Sequence, residues 1–314
     1  ERSKGSAGKI NSVLLRCRFR KIAASSLNED FKLNLLYCCS PLKNTDRRKI
    51  DHMMKKRYFA IPILAIALHF LLSNLLYFLV ERLVLDVFHI SQQQFMNYSY
   101  WGEILIYAVL ILVFFTLYKL LWRKEISEPR TATNFKDVLG SLVVGFGICG
   151  ISGLWIMLAE QLPSLQKSIE AMNAGAENIA GGNAFGTFMI AVIAAPVVEE
   201  ILFRGIVLRS MRKFAPAWAS ILISSVLFGV YHLNIVQAAY ATLMGIAAGI
   251  LYEKKRNLLF PILVHFANNL ITMLQGFASS EVNELISIFI LIMIAPAGYV
   301  VCRSLKQGKR ADSM

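Results

Sequence analysis

Two adjacent glutamates and an arginine stand inside an otherwise apolar stretch, APVVEEILFRGIVL, residues 195–208. Charges in such a run are costly, about 2.5–3.5 kcal/mol for a central Asp or Arg on insertion scales. Glu200 and Arg204 are four positions apart, so on a helix they share a face and can pair. Glu199 is turned about 100° away from Glu200 and can point elsewhere. A carboxylate held in an apolar environment is a candidate for proton transfer.

Two further apolar runs carry groups that could work with such a carboxylate. FGVYH ends with His232, four residues after Phe228, and HFANN places His265 and Asn269 one helical turn apart. Imidazole and amide groups can stabilise a developing oxyanion. At about 1.5 Å per residue, Glu199 and these three polar residues lie about 12–22 Å from the predicted cytoplasmic helix ends. All four can therefore line one cavity inside the membrane.

Prolines and glycines bear on how this cavity forms. Pro196 and Pro261 each remove a helix hydrogen bond just before a candidate residue, which predicts kinks facing protein or water. The segments GIAAG and GFGICGISG predict close helix packing instead. Packing is also the alternative explanation for the polar set. Interhelical polar contacts average only about 0.6 kcal/mol, however, which is little return for so many expensive groups.

The elements that carry these residues are predicted to be membrane helices. The chain has 314 residues, 56% hydrophobic and 17% charged, and a mean hydropathy of +0.54. Soluble domains carry about a quarter charged residues, so the composition predicts an all-α polytopic membrane protein. The candidate residues stand within its apolar spans, so the expected active site lies inside the bilayer. Eight apolar spans are predicted, at 58–80, 101–122, 138–159, 185–208, 217–233, 235–252, 257–275 and 285–303. Only His232–Asn234 separates the fifth and sixth spans, which predicts a tight hairpin or a re-entrant turn.

Positive charge alternates between the loops. Lys and Arg concentrate in every second loop, so the positive-inside rule predicts that both termini lie in the cytoplasm. The sequence MMKKR, residues 53–57, directly before an apolar span is typical of the start of a bacterial plasma-membrane protein. The net charge of +13 is therefore assigned to topology, and no basic soluble domain for nucleic acid is indicated. The five cysteines have no zinc or redox spacing.

Residues 1–52 differ from the transmembrane domain predicted at 53–314. They hold twelve Lys or Arg against five Asp or Glu and contain no long apolar run. One interpretation is upstream sequence translated in frame ahead of Met53. The other is a basic cytoplasmic tail that contacts anionic lipid.

The three motifs resemble those of a known family. EEILFR, FGVYH and HFANN match, in order, the E-E-x-x-x-R, F-x-x-x-H and H-x-x-x-N motifs of the CPBP family. This family contains type II CAAX prenyl endopeptidases and bacteriocin-processing or self-immunity proteins. The resemblance covers residues 185–275, a CPBP-like catalytic core, and implies an eight-helix intramembrane protease fold.

The resemblance also implies roles for the individual residues. Glu199 would be the general base that activates water, with His232 beside it. His265 and Asn269 would form an oxyanion hole. Supporting residues would be Glu200, Arg204 and Phe228. A metal-free mechanism is favoured, and the alternative is zinc held by Glu199, His232 and His265.

Two functions remain open on the sequence. The first is an intramembrane endopeptidase that cuts a membrane-associated peptide or protein by a glutamate-activated water. The second is a membrane scaffold of the same fold, which confers bacteriocin immunity or regulates a membrane partner without cleavage. The expected partners are a peptide or membrane-protein substrate and the lipid bilayer.

Overall fold

The computed structural model describes residues 44–89, 91–123, 133–180 and 183–311. Helices make up nearly all of this described part, and no strand occurs in it. The helices are α1 (Asn44–Arg82), α2 (Gln92–Leu121), α3 (Phe135–Glu160), α4 (Gln166–Ala180), α5 (five consecutive helical segments over 184–211), α6 (Ala217–Tyr231), α7 (Ile235–Lys255), α8 (Leu259–Phe277) and α9 (Ser280–Ala311). A π-helical turn, Leu83–Val87, continues α1, and a 3₁₀ turn, Pro163–Leu165, precedes α4.

Contacts divide the chain into two groups, Glu1–Arg57 and Tyr58–Met314. Of the first group only the helical residues 44–57 are described. The predicted basic segment 1–52 therefore lies, up to residue 43, outside the described residues. The second group contains every candidate residue.

Among the described residues, length and apolarity identify five helical stretches that can cross a membrane. They are Tyr58–Val87, Ser99–Leu121, Phe135–Glu160, Ile235–Lys255 and Ser280–Lys306. Large apolar side chains on α1 and α9 face outward: Leu71 is 70% exposed and Leu285 is 67% exposed. Such surfaces suit lipid, so the prediction of an all-α polytopic membrane protein is confirmed. All eight predicted spans fall on helices, and the count of eight crossings stays a prediction.

Helices α6 and α7 form the tight hairpin that their short connection predicted. Gly229 permits the close approach, because a Cβ there would lie 2.2 Å from Oγ1 of Thr242 and 2.4 Å from the carbonyl oxygen of Ala238. Leu233 closes the turn with a positive φ of 55°, a conformation uncommon for a bulky residue. The hairpin therefore fixes His232 at the end of α6.

The amphipathic helix α4 holds this turn from outside the hairpin, and no predicted span includes it. Asn234 caps α7 by accepting hydrogen bonds from the backbone of Val236 and Gln237, each at 3.0 Å. Its Nδ2 also donates to the carbonyl oxygen of Ser168 on α4 at 2.8 Å. The turn after His232 is thus tied to two helices.

Close packing of α3 against α8 sets the position of the second histidine motif. A Cβ on Gly145 would lie 2.3 Å from the carbonyl oxygen of Val264 and 2.6 Å from Cβ of Ala267. The glycine lets the two backbones approach, which confirms the predicted packing role at this position. The α8 backbone on both sides of His265 is therefore held directly against α3.

Candidate active site

Helix α5, which carries both candidate glutamates, departs from regular α-helical geometry. A π-helical segment, Phe188–Ala194, leads into the α-helical turn Ala195–Glu200, and a second π-helical segment, Ile201–Leu208, follows it. Glu199 and Glu200 are thus the last two residues of the short α-helical segment between the two π segments. Such π segments are frequent at functional sites. The kink predicted at Pro196 takes this form.

A missing backbone donor in α5 explains one long-range contact of the site. The N–H of Ala195 bonds to the carbonyl of Ile190, five residues back. In that register the next donor would belong to Pro196, which has none, so the carbonyl of Ala191 is left without a partner in its own helix. Nδ2 of Asn269 donates to that carbonyl at 2.8 Å. This bond ties α8 to the irregular part of α5.

The predicted pairing of Glu200 with Arg204 is present and almost completely buried. Nη1 of Arg204 donates to Oε1 of Glu200 at 2.9 Å, and the two side chains are 1% and 0% exposed. The same oxygen accepts a hydrogen bond from Nδ1 of His265 at 3.1 Å. Glu200 therefore joins α5 to α8, a connection that the sequence did not indicate.

Glu199 faces the other nitrogen of the same imidazole ring. Its Oε2 lies 3.9 Å from Nε2 of His265, and its side chain is 12% exposed. That oxygen is buried and has no hydrogen-bond partner among the described residues. Because a buried acceptor without a donor is costly, the position suits a water molecule or a substrate group. The two adjacent glutamates thus flank one histidine, one bonded to it and one within reach.

Phe228 is the packing centre of the candidate site. It is fully buried, and its ring makes edge contacts with His232 at 4.9 Å and with His265 at 5.6 Å between centroids. The guanidinium carbon of Arg204 lies 4.7 Å from the same ring centroid. Nδ1 of His232 donates to the carbonyl oxygen of Phe228 at 2.8 Å, which fixes the imidazole orientation. Phe228 therefore joins both histidines and the arginine.

All seven predicted site residues come from three helices or their ends and lie in one cluster. Some of them contact each other directly, and others reach the cluster through a neighbour. Glu199, Glu200, Arg204 and His265 form its polar centre. His232 reaches that centre only through the ring of Phe228. Asn269, one turn after His265 on α8, contacts α5 at Ala191, which is eight residues before Glu199.

Asn268 is a participant that the three motifs did not single out. Its Nδ2 donates to Oδ1 of Asn269 at 3.2 Å, and the residue is 7% exposed. Since an amide oxygen only accepts, this bond and the bond to Ala191 fix which way the Asn269 amide points. The second N–H of Asn269 Nδ2 stays available for another acceptor. The doubled asparagine in HFANN was the signal for this pair.

The structure leaves the alternative zinc set a prediction. Within the described residues, no group of three or more His, Cys, Asp or Glu side chains is arranged to hold a metal ion. Nδ1 of His232 bonds to a backbone carbonyl and Nδ1 of His265 bonds to Glu200, which leaves Nε2 of each ring for another partner. Metal-bound histidines are held in the same way, so these two bonds do not decide between the metal-free and the zinc mechanism.

A polar cavity of about 430 Å³ lies between α1, α2 and the end of α6. His69 and Asn74, which stood as isolated polar residues in the sequence, line it together with Glu103, Tyr107 and Tyr231. Nδ1 of His69 and the hydroxyl of Tyr231 share a hydrogen bond of 2.9 Å. Tyr107 and Tyr231 also lie within electrostatic range of Glu199. Glu199 itself is not among the residues that line the cavity.

Comparisons with known proteins agree with the resemblance drawn from the motifs. Residues 181–271 match the family model described as type II CAAX prenyl endopeptidase Rce1-like. All seven predicted site residues lie within this range. The match confirms the predicted resemblance over this part of the chain.

A curated relative supports the same assignment over a short region. It is the Bacillus subtilis (strain 168) protein named "Putative membrane peptidase YdiL", 31% identical over 81 residues. The alignment covers 26% of this chain and 33% of the relative. No solved structure gives a significant match.

Proposed function

We propose that this chain is an intramembrane endopeptidase that hydrolyses a peptide bond of a membrane-associated peptide or protein. The match to the Rce1-like endopeptidase model and the relative named as a membrane peptidase support this class of activity. The observation that carries the proposal is the Glu199 carboxylate. It is almost buried in an apolar helix, and its Oε2 is unpartnered among the described residues and lies 3.9 Å from His265.

In the proposed mechanism Glu199 acts as the general base. Its Oε2 takes a proton from a water molecule whose oxygen bonds to the carbonyl carbon of the scissile peptide. The carbonyl π bond breaks and leaves a tetrahedral oxyanion. Collapse of that intermediate breaks the C–N bond, and Glu199 returns the proton to the departing amine. The cavity lined by Tyr107 and Tyr231 is the proposed place for part of the peptide, because both tyrosines lie within electrostatic range of Glu199.

The oxyanion donors proposed are Asn269 and His265. Asn269 has one amide hydrogen left after its bond to Ala191. Nδ1 of His265 is bonded to Glu200, so Nε2, which faces Glu199, is the nitrogen of this ring that can reach the oxyanion.

The decisive test of this mechanism replaces the Glu199 carboxylate by an amide of the same size. Glu199→Gln keeps the size of the side chain but removes its basicity, so we expect proteolysis to fall by at least about a hundredfold. Peptide termini in membranes of cells that express the wild type, Glu199→Gln or Glu160→Gln would be compared by mass spectrometry. Glu160 is exposed at the end of α3 and serves as the matched control.

The comparison has one outcome that supports the proposal and one that contradicts it. Termini that are present with the wild type and with Glu160→Gln but absent with Glu199→Gln would identify the substrate and support the proposal. If Glu199→Gln at an equal protein level produces the same termini as the wild type, the peptidase proposal fails.

Metal dependence is tested on the purified protein and the substrate identified in that way. We expect activity to survive a tight zinc chelator, since among the described residues no group of three or more His, Cys, Asp or Glu is arranged to hold a metal ion. Loss of activity that returns on adding zinc would favour the zinc mechanism.

A scaffold without catalysis, including a bacteriocin-immunity protein, is the second candidate. It is favoured by the bond of Asn269 to the backbone carbonyl of Ala191, since this bond also holds α8 against α5. In that case the cellular phenotype would survive Glu199→Gln. It would be lost with Asn269→Ala, which removes this hydrogen bond between α8 and α5.

A further inference from the structure

A second cavity, unconnected with the catalytic proposal, lies where three helices end. It encloses about 290 Å³ between the start of α3, the end of α7 and the last part of α9. Its charged lining residues are Lys136, Asp137, Lys254, Lys255 and Arg303. Four positive side chains thus surround one carboxylate.

One of these cations, Lys255, has its charge compensated by a neighbour. Its Nζ lies 2.5 Å from Oδ2 of Asp137, and the two side chains are 14% and 22% exposed. Within the described part of the chain, no carboxylate pairs with Lys136, Lys254 or Arg303. Lys254 is within electrostatic range of Lys255 and Arg303 and also of Asp137, the one carboxylate in the lining of this cavity. Like charges held this close repel one another, and an anion between them would remove that cost.

The backbone and a hydroxyl group add to the preference for an anion. The N-terminus of α3 faces this region, and its partial positive charge favours negative groups. Asn134 accepts from the N–H of Asp137 at 2.9 Å, which leaves other first-turn donors of α3 outside that cap. Tyr299 lines the cavity with 67% of its surface exposed, as expected for a residue at a membrane–water boundary.

From these features we propose that the cavity binds a negatively charged phosphate group, supplied by the headgroup of an anionic phospholipid. The basic residues belong to loops that the positive-inside rule puts on the cytoplasmic side, where anionic lipid is enriched. Lys254 and Arg303 hold the phosphate, and the apolar surface of α9 lies beside the acyl chains. The lipid then bridges α3, α7 and α9 at their ends.

The test measures lipid binding to the purified full chain by native mass spectrometry. Phosphatidylglycerol is titrated against phosphatidylcholine, and inorganic phosphate is added separately as a competitor. A positive charge near a headgroup contributes enough for about a fivefold change in affinity, so Lys254→Gln/Arg303→Gln should bind phosphatidylglycerol about 25-fold more weakly. Lys119→Gln/Arg123→Gln removes the same charge from the end of α2, outside this cavity, and should bind like the wild type.

A charge-preserving variant separates binding from folding. Lys254→Arg/Arg303→Lys should retain phosphatidylglycerol even if it alters thermal stability. If millimolar inorganic phosphate displaces the lipid from wild type, the site also takes soluble phosphate compounds. Equal binding of the two lipids, or equal loss in both glutamine variants, would overturn the proposal. Peptidase activity enters none of these readouts, so the two proposals fail independently.

Discussion

At the residue scale, adjacent glutamates divide two tasks between them. Glu200 is fully buried, and its Oε1 accepts hydrogen bonds from Arg204 and from Nδ1 of His265. Glu199 makes no such bond and keeps a small exposed fraction. Two residues of one type, next to each other, thus differ because the helix directs them to different partners.

This division predicts that the same Glu→Gln substitution changes the free energy of unfolding by very different amounts at the two neighbouring positions. Glu200→Gln leaves the buried Arg204 guanidinium without a compensating charge, which should cost about 3–5 kcal/mol of unfolding free energy. Glu199→Gln should change it by less than about 1 kcal/mol, since no cation depends on that carboxylate through a hydrogen bond. Thermal or denaturant unfolding in detergent measures both.

A double variant checks the cause. Glu200→Gln/Arg204→Met removes both charges and should recover much of the loss, because apolar replacements of a buried pair are often neutral. Equal stability of the two single glutamine variants would contradict the assigned roles.

At the element scale, the irregular helix α5 and the helix α8 are coupled through one carbonyl. Pro196 deprives Ala191 of a donor, and Asn269 replaces it. The irregularity and the candidate oxyanion donor are therefore parts of one structural unit. Pro196 interrupts the hydrogen bonding of α5, and the carbonyl of Ala191 that this leaves open holds the candidate side chain of Asn269.

The coupling is measurable by a double-mutant cycle. Asn269→Ala should cost about 1–3 kcal/mol, because the carbonyl of Ala191 becomes a buried acceptor without a donor. In a Pro196→Ala background the new backbone N–H can take that carbonyl, so the cost of Asn269→Ala should be smaller. Purely additive effects on unfolding would reject the link between the two residues.

The α6–α7 hairpin offers a second prediction at this scale. Gly229→Ala would place Cβ 2.2 Å from Oγ1 of Thr242, so the helices must separate. We expect a loss of about 1–3 kcal/mol or more and a drop in activity through displacement of His232. Gly153→Ala is the matched control, since nothing lies within 4 Å of a Cβ there. It should be neutral or stabilising by up to about 1 kcal/mol. Similar losses at both positions would show that the close approach is unimportant.

At the scale of the whole molecule, the orientation in the membrane decides from which side a substrate arrives. The loop pattern predicts that the end of α3 at Glu160 is outside and the end of α9 at Lys306 is inside. The α6–α7 turn bonds to Ser168 on α4, which follows closely after Glu160. His232 therefore lies toward the end of the helices opposite to the basic loops.

Sided labelling tests this orientation. In a background without the native cysteines, a membrane-impermeant maleimide should label Glu160→Cys in intact cells. It should label Lys306→Cys only after the membrane is opened. Both positions are exposed, so accessibility differs only by side. The reverse pattern would invert the predicted topology and place the His232 end in the cytoplasm.

Local spacing explains how much of this organisation the sequence could predict. The Glu200–Arg204 pair, four residues apart, and the hairpin around His232 follow from helical geometry alone. The bond between Glu200 and His265 spans 65 residues and depends on how α5 and α8 pack. Glu103 and Tyr107, four residues apart on α2, were not predicted because neither belongs to a recognised motif. Their shared cavity exists only when α1 and α2 come together.

The order in which these contacts can form bears on how the protein is made. Glu200 and Arg204 belong to one helix, so α5 carries its own neutralising partner as soon as it leaves the insertion machinery. His265 is synthesised 65 residues after Glu200. Until then, Glu199 has no imidazole beside it. A nascent chain can thus enter the bilayer at reduced electrostatic cost before the proposed catalytic residues are assembled.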